Sequence, residues 1–166
     1  MVRAASLVDL MGPVEMHNDE YVTYFDRQNA EIVSVERSII GAVEDGEDEG
    51  LEDDVPAWQK HEVEEARAIV ADKSGRFIDP PDKVEFDEYR HMERFIESIA
   101  NPGIADQLWR AINGRSPFRV FKDTLHTLGL EKRWYRYRDQ AIKQFVIEWA
   151  EENQVAYIDD LKREYK

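Results

Sequence analysis

Apolar residues recur along the second half of the chain at steps of three and four. Phe118, Phe121, Leu125 and Leu128 form one such stripe, and Trp134, Tyr137, Ala141, Phe145 and Trp149 form the next. That rhythm places each set on one buried face of an α-helix. Gly129 separates the two runs and closes the first helix, so the pair is expected to fold back as a helical hairpin. Gly114 sits where a left-handed helix cap is needed, and Ser116-Pro117 reads as N-cap and first helical residue. Upstream, Tyr89, Met92, Phe95, Ile96 and Ile99 predict a helix from about Asp87. Asn101-Pro102 ends it and caps another that runs to about Asn113. Pro56 opens a further helix to about Asp72, with Trp58, Val63, Ala66, Ile69 and Val70 inward.

The N-terminal third has a different rhythm. Residues 5–16 read as a short helix broken or ended near Gly12-Pro13. Tyr21–Phe25 and Ile32–Val35 are rich in β-branched and aromatic residues, and Asp26–Ala30 between them has turn chemistry: a β-hairpin. Arg76–Asp79, halted by Pro80-Pro81, is the candidate third strand, and Val155–Ile158 the candidate fourth. Glu36–Val43 adds a helical turn or two. The expected fold is α+β: one mostly helical domain spanning 1–166, with a small antiparallel N-terminal sheet. Residues 160–166 are expected to be a frayed tail.

Charge changes this picture. Residues 1–100 hold 26 acids against 10 bases, whereas 101–166 hold 10 against 12. At net −14, with 42% apolar residues and no cysteine, the chain can build a core but has no disulfide or thiolate chemistry, and it is not built to coat nucleic acid. The start has no signal-peptide apolar block and no run is long enough to span a bilayer, so a cytoplasmic setting is expected. Eight acids fall in residues 44–54, which read as a flexible solvated loop. A calcium loop counted from Asp45 fails at its twelfth position, Pro56, where a bidentate Glu is required.

No catalytic template is met. His61-Glu62-Val63-Glu64-Glu65 has Glu where a zinc hydrolase helix carries its second His. Glu88 and His91 stand at the spacing used by di-iron bundles, without a second such pair. Glycine-rich phosphate loops and nucleophile elbows are absent. No metal or cofactor is therefore expected.

Basic residues gather on the hairpin instead. Arg115, Arg119, Lys122 and His126 follow one another at four, three and four, and Tyr135, Tyr137 and Arg138 could build a small aromatic–guanidinium pocket. Arginine captures carboxylates and phosphates in bidentate fashion. Arg115, Arg119, Lys122, His126, Tyr135 and Arg138 form the candidate ligand site of a non-enzymatic interaction or regulatory module, with an anionic small molecule or protein as partner. Two alternatives stand beside it: a hydrolase-type enzyme with a carboxylate/Arg site, and an acidic protein that engages a basic partner by mimicking nucleic acid. The competing reading of the cations themselves is internal neutralisation by the protein's own acids.

The run GRSPFRVFKDTL, followed by EKRWYRYRDQAI and IEWAEEN, resembles a bacterial uncharacterised protein family catalogued as number 0158. DEYVTYFDRQNAEIV, DDVPAWQKHEVEEARAI and DEYRHMERFI match it upstream in the same order. The resemblance implies a single fold and no particular activity. The family usually shows Gly at the position of Ala30, Gly-Ala at Ser116-Pro117, and often Cys at Ala150.

Overall fold

The computed structural model describes residues 2–162. The expected frayed tail falls mostly on 163–166, outside the described residues. The architecture is mostly helical α+β, with a small antiparallel sheet, as the periodicities predict. In chain order the elements are β1 (Ala5–Ser6), α1 (Leu7–Glu15), β2 (Tyr21–Asp26), β3 (Glu31–Glu36), α2 (Arg37–Glu44) and α3 (Leu51–Asp54). A 3₁₀ turn (Ala57–Gln59) leads into α4 (Lys60–Ala71), followed by β4 (Phe77–Ile78) and α5 (Lys83–Phe86). The chain then continues with α6 (Glu88–Glu97), α7 (Pro102–Asn113), α8 (Pro117–Leu128), α9 (Glu131–Glu152) and β5 (Tyr157–Ile158).

The hairpin β2–β3 forms in the register Tyr21↔Glu36 to Asp26↔Glu31, and β4 adds antiparallel to the other edge of β2. The fourth strand forms too, but elsewhere. β5 pairs in parallel with β1, Ala5 opposite Tyr157, as a separate two-stranded sheet. Strands this short carry no period of their own, so only long-range packing decides their partner.

Helix α9 organises the interior. Its 22 residues span about 33 Å at 1.5 Å per residue. Its first half sends Trp134 into a cluster with Met92, Phe95, Ile96, Leu108, Ile112, Phe121 and Leu125 from α6, α7 and α8. Phe95, Phe121 and Trp134 meet edge to face there, with centroids 5.0–6.3 Å apart. Its second half sends Ile142 and Val146 into another cluster with Leu7, Leu10, Met11, Val14, Phe25 and Phe86. A third core joins Val33 and Val35 of β3 to Ile39, Ile40, Val63 and Ala66 of α2 and α4.

Several local expectations are corrected. Helix α1 runs through Pro13 and ends only at Glu15, because the four buried residues Leu7, Leu10, Met11 and Val14 dock it against the core. Packing of that kind outweighs one lost backbone bond near a helix end. Gly114 is not left-handed (φ −98°). Ser116 is, at φ 51°, and its hydroxyl makes no capping bond. Ala30 is left-handed as well, at φ 55°, in a four-residue hairpin turn held by the Asp26 carboxylate, which accepts from the Gln28 and Asn29 amides. Trp58 and Phe118, expected inward, are exposed (69% and 45%), as is Val70. Within the acidic stretch, Leu51–Asp54 takes a helical turn, and the Arg67 guanidinium donates to Asp48 and to Glu52.

Candidate basic face on helix α8

Helix α8 places the predicted cations by simple geometry. Phe121 and Leu125 are buried, Gly129 caps the end at φ 68° with its amide donating to His126 and Leu125 carbonyls, and the opposite side faces water. Arg119, Lys122 and His126 therefore project outward from α8, and Arg115, on the turn just before the helix, is exposed as well. Among the described residues, Arg115, Arg119 and Lys122 make no ion pair or side-chain hydrogen bond. His126 is engaged: its Nδ1 lies 2.8 Å from Glu131 Oε1.

The other two predicted residues sit on α9 and separate from this group. Arg138 turns inward and donates from Nε to Glu88 of α6; the two side chains are only 18% and 16% exposed. Tyr135 is exposed. Tyr137, expected beside them in a pocket, instead stacks near Trp134 and meets Phe95 edge to face. Arg133 lies over the Phe95 ring at 6.0 Å. The hairpin thus has a free basic face on α8 and an engaged one on α9.

Glu88 is also the acid of the spacing that suggested a di-iron motif. With Arg138 bound to it, and with His91 stacked on Phe86 at 4.2 Å, that pair is structural. Burial, and next the nearby Arg94, hold the His91 imidazole below its ordinary pKa. Among the described residues no three His, Asp or Glu side chains cluster as a metal site.

Two hollows were not foreseen. One, about 760 Å³, lies between α1, β2, β4 and the end of α9; Arg37 donates there to the Asp19 carbonyl at 3.0 Å, and the Trp149 indole to the Asp79 carbonyl at 3.2 Å. A groove of about 500 Å³ runs beside the basic face; its lining includes Lys83, Val84, Tyr89, Phe118 and Lys122 together with the acids Asp87 and Glu88. The groove is formed by α5, α6 and α8. A pattern of buried stripes could not reveal it, since its floor is made of apolar residues that remain in water.

These features define a class: a mostly helical α+β protein with an unpaired basic face and, among the described residues, no metal-binding cluster. The chain belongs to the uncharacterised protein family UPF0158, whose model matches residues 56–164. It is similar to UPF0158 protein PA5073 of Pseudomonas aeruginosa, 29% identical over 65 residues, which cover 39% of this chain and 42% of that protein. The chain thus matches less than half the length of that curated relative. No solved structure matches. Among the described residues no helix is long and apolar enough to cross a membrane.

Proposed function

We propose that this protein is a non-enzymatic interaction module of the cytoplasm that takes an anionic partner on the α8 face, through Arg115, Arg119 and Lys122. One observation carries the reading. In a chain of net charge −14, these three cations stand together without an acid of their own among the described residues. Elsewhere Arg67, Arg76 and Arg138 each hold a carboxylate. Unpaired guanidinium groups surrounded at longer range by negative potential bind an oxyanion by local, bidentate contact, so selectivity is set at the face itself. His126 lies on the same helix, with Glu131 as its partner.

Titration with nucleotides, oligonucleotides and polyglutamate, comparing wild type with Arg115→Ala/Arg119→Ala, tests this reading. Binding that weakens with salt and is lost in the variant is the expected result. A variant that melts lower while binding is unchanged assigns the two arginines to internal neutralisation instead.

A further inference from the structure

The groove beside the basic face gives the partner a more definite chemistry. Its floor is apolar and wet. Val84 is 80% exposed, Phe118 is 45% exposed, and the Tyr89 ring stands at 6.5 Å from Phe118, edge to face, with its hydroxyl anchored on the Ile112 carbonyl at 3.0 Å. Tyr89 is thus fixed and cannot swing to cover the gap. Val84 and Phe118 come from helices 34 positions apart in sequence, yet line one hollow. Isolated exposed apolar residues need no explanation, but a shared concave patch with a polar rim is the usual form of a docking site.

The rim decides what would dock. Lys83 stands on it from α5 and Lys122 from α8, and neither has a carboxylate partner among the described residues. The lining also holds two acids, of which Glu88 is neutralised by a cation and Asp87 serves as a helix cap. Glu88 is bound by Arg138, and the Asp87 carboxylate accepts from the Arg90 amide as the N-cap of α6. Arg119 stands one turn before Lys122 on α8, and Arg115 on the turn that precedes the helix. The geometry points to an acidic peptide segment that inserts one large apolar side chain between Val84, Tyr89 and Phe118 while its carboxylates meet Lys83, Lys122 and Arg119. The inference rests on the anionic-partner reading above and adds the apolar anchor. Lys83 and Lys122 on the rim favour an acidic segment over a basic one, and the floor distinguishes this peptide from a purely polyanionic ligand, which would leave Phe118 and Val84 in water.

Fluorescence anisotropy with three labelled probes separates the outcomes: Asp-Glu-Leu-Phe-Glu-Asp, hexaglutamate, and the basic counterpart Lys-Arg-Leu-Phe-Arg-Lys. The acidic Leu-Phe peptide is expected to bind best. Phe118→Ser and Lys83→Glu/Lys122→Glu, both solvent-facing changes whose folding is checked by circular dichroism, should each weaken it about tenfold or more, whereas hexaglutamate should not respond to Phe118→Ser. Equal binding of both acidic probes with no effect of Phe118→Ser overturns the anchor but leaves the anionic face standing. Preference for the basic peptide, or no binding of either acidic probe, overturns both.

Discussion

Helices α8 and α9 are neighbours in sequence, yet they use their cations in opposite ways. On α9, Arg138 is folded against Glu88 and Arg133 lies over the Phe95 ring, so positive charge there knits helices together. On α8 and the turn before it, Arg115, Arg119 and Lys122 touch no acid among the described residues. The lesson concerns register. A helix rotated so that its cation points toward a neighbouring acid makes structure of it, and one rotated the other way offers it to solvent. Internal neutralisation thus occurs on α9, while the α8 cations stay free for the partner proposed above.

The contrast is sharpest in stability. Glu88→Ala leaves the half-buried Arg138 guanidinium without its carboxylate, which should cost about 2–3 kcal/mol and lower Tm by roughly 5–10 °C. Urea denaturation measures it; an unchanged midpoint would place Arg138 with the free cations of α8. Asp26 provides a parallel case away from the hairpin. It is 2% exposed and held by Arg76 through two bonds of 2.9 Å. Burial alone would raise its pKa, but the Arg76 guanidinium and the Gln28 and Asn29 amides outweigh that and hold it below the ordinary carboxylate value. Its folded pKa therefore lies under its unfolded one. The stability it contributes is complete above the ordinary carboxylate range and lost as pH falls through the depressed value. Asp26→Asn should cost about 2–3 kcal/mol near neutral pH, and the gap to wild type should close in acid; a gap independent of pH would contradict the pairing.

Backbone changes come next in size. Ser116 opens α8 in the left-handed region, where a side chain is strained, and Ser116→Gly should stabilise by about 0.5–1 kcal/mol. Ala30→Gly in the hairpin turn should act in the same direction and by a similar amount. Thermal melts of the two variants check both. The smallest effect belongs to α8 itself: Arg119→Ala should change stability by less than about 0.5 kcal/mol, as for any unpaired surface residue. A larger loss would erase the difference between the helices.

Much of this was legible in the sequence, for reasons that also explain the misses. Asn101 caps α7, accepting from Gly103 and Ile104, and Gly129 ends α8, because these are signals between residues a few positions apart. The β-hairpin and its third strand follow from alternation bounded by turn residues. What escaped lies between distant residues. Arg138 and Glu88 are 50 positions apart, and β1 meets β5 from the far end of the chain. Periodicity gave α8 an inner face but could not tell that Phe118, at the edge of that stripe, would overhang a groove. Ser before Pro looked like a side-chain cap, yet the backbone there is left-handed. The resemblance held the better clue, since the family usually carries glycine at both Ser116 and Ala30.

The short parallel pair between β1 and β5 has a consequence for any attempt to trim the molecule. Ser6 Oγ donates to Asp160 at 2.6 Å, the Val8 amide to the same carboxylate at 3.0 Å, and Lys143 meets Asp159 at 2.6 Å. This clasp seats Leu7, Leu10, Met11 and Val14 over Ile142 and Val146. A fragment cut to the region matched by the family model would begin at Pro56 and leave that side of α9 bare. Such a piece would be sticky and self-associating, so the first fifteen residues act as the lid that keeps the long helix from seeking another one.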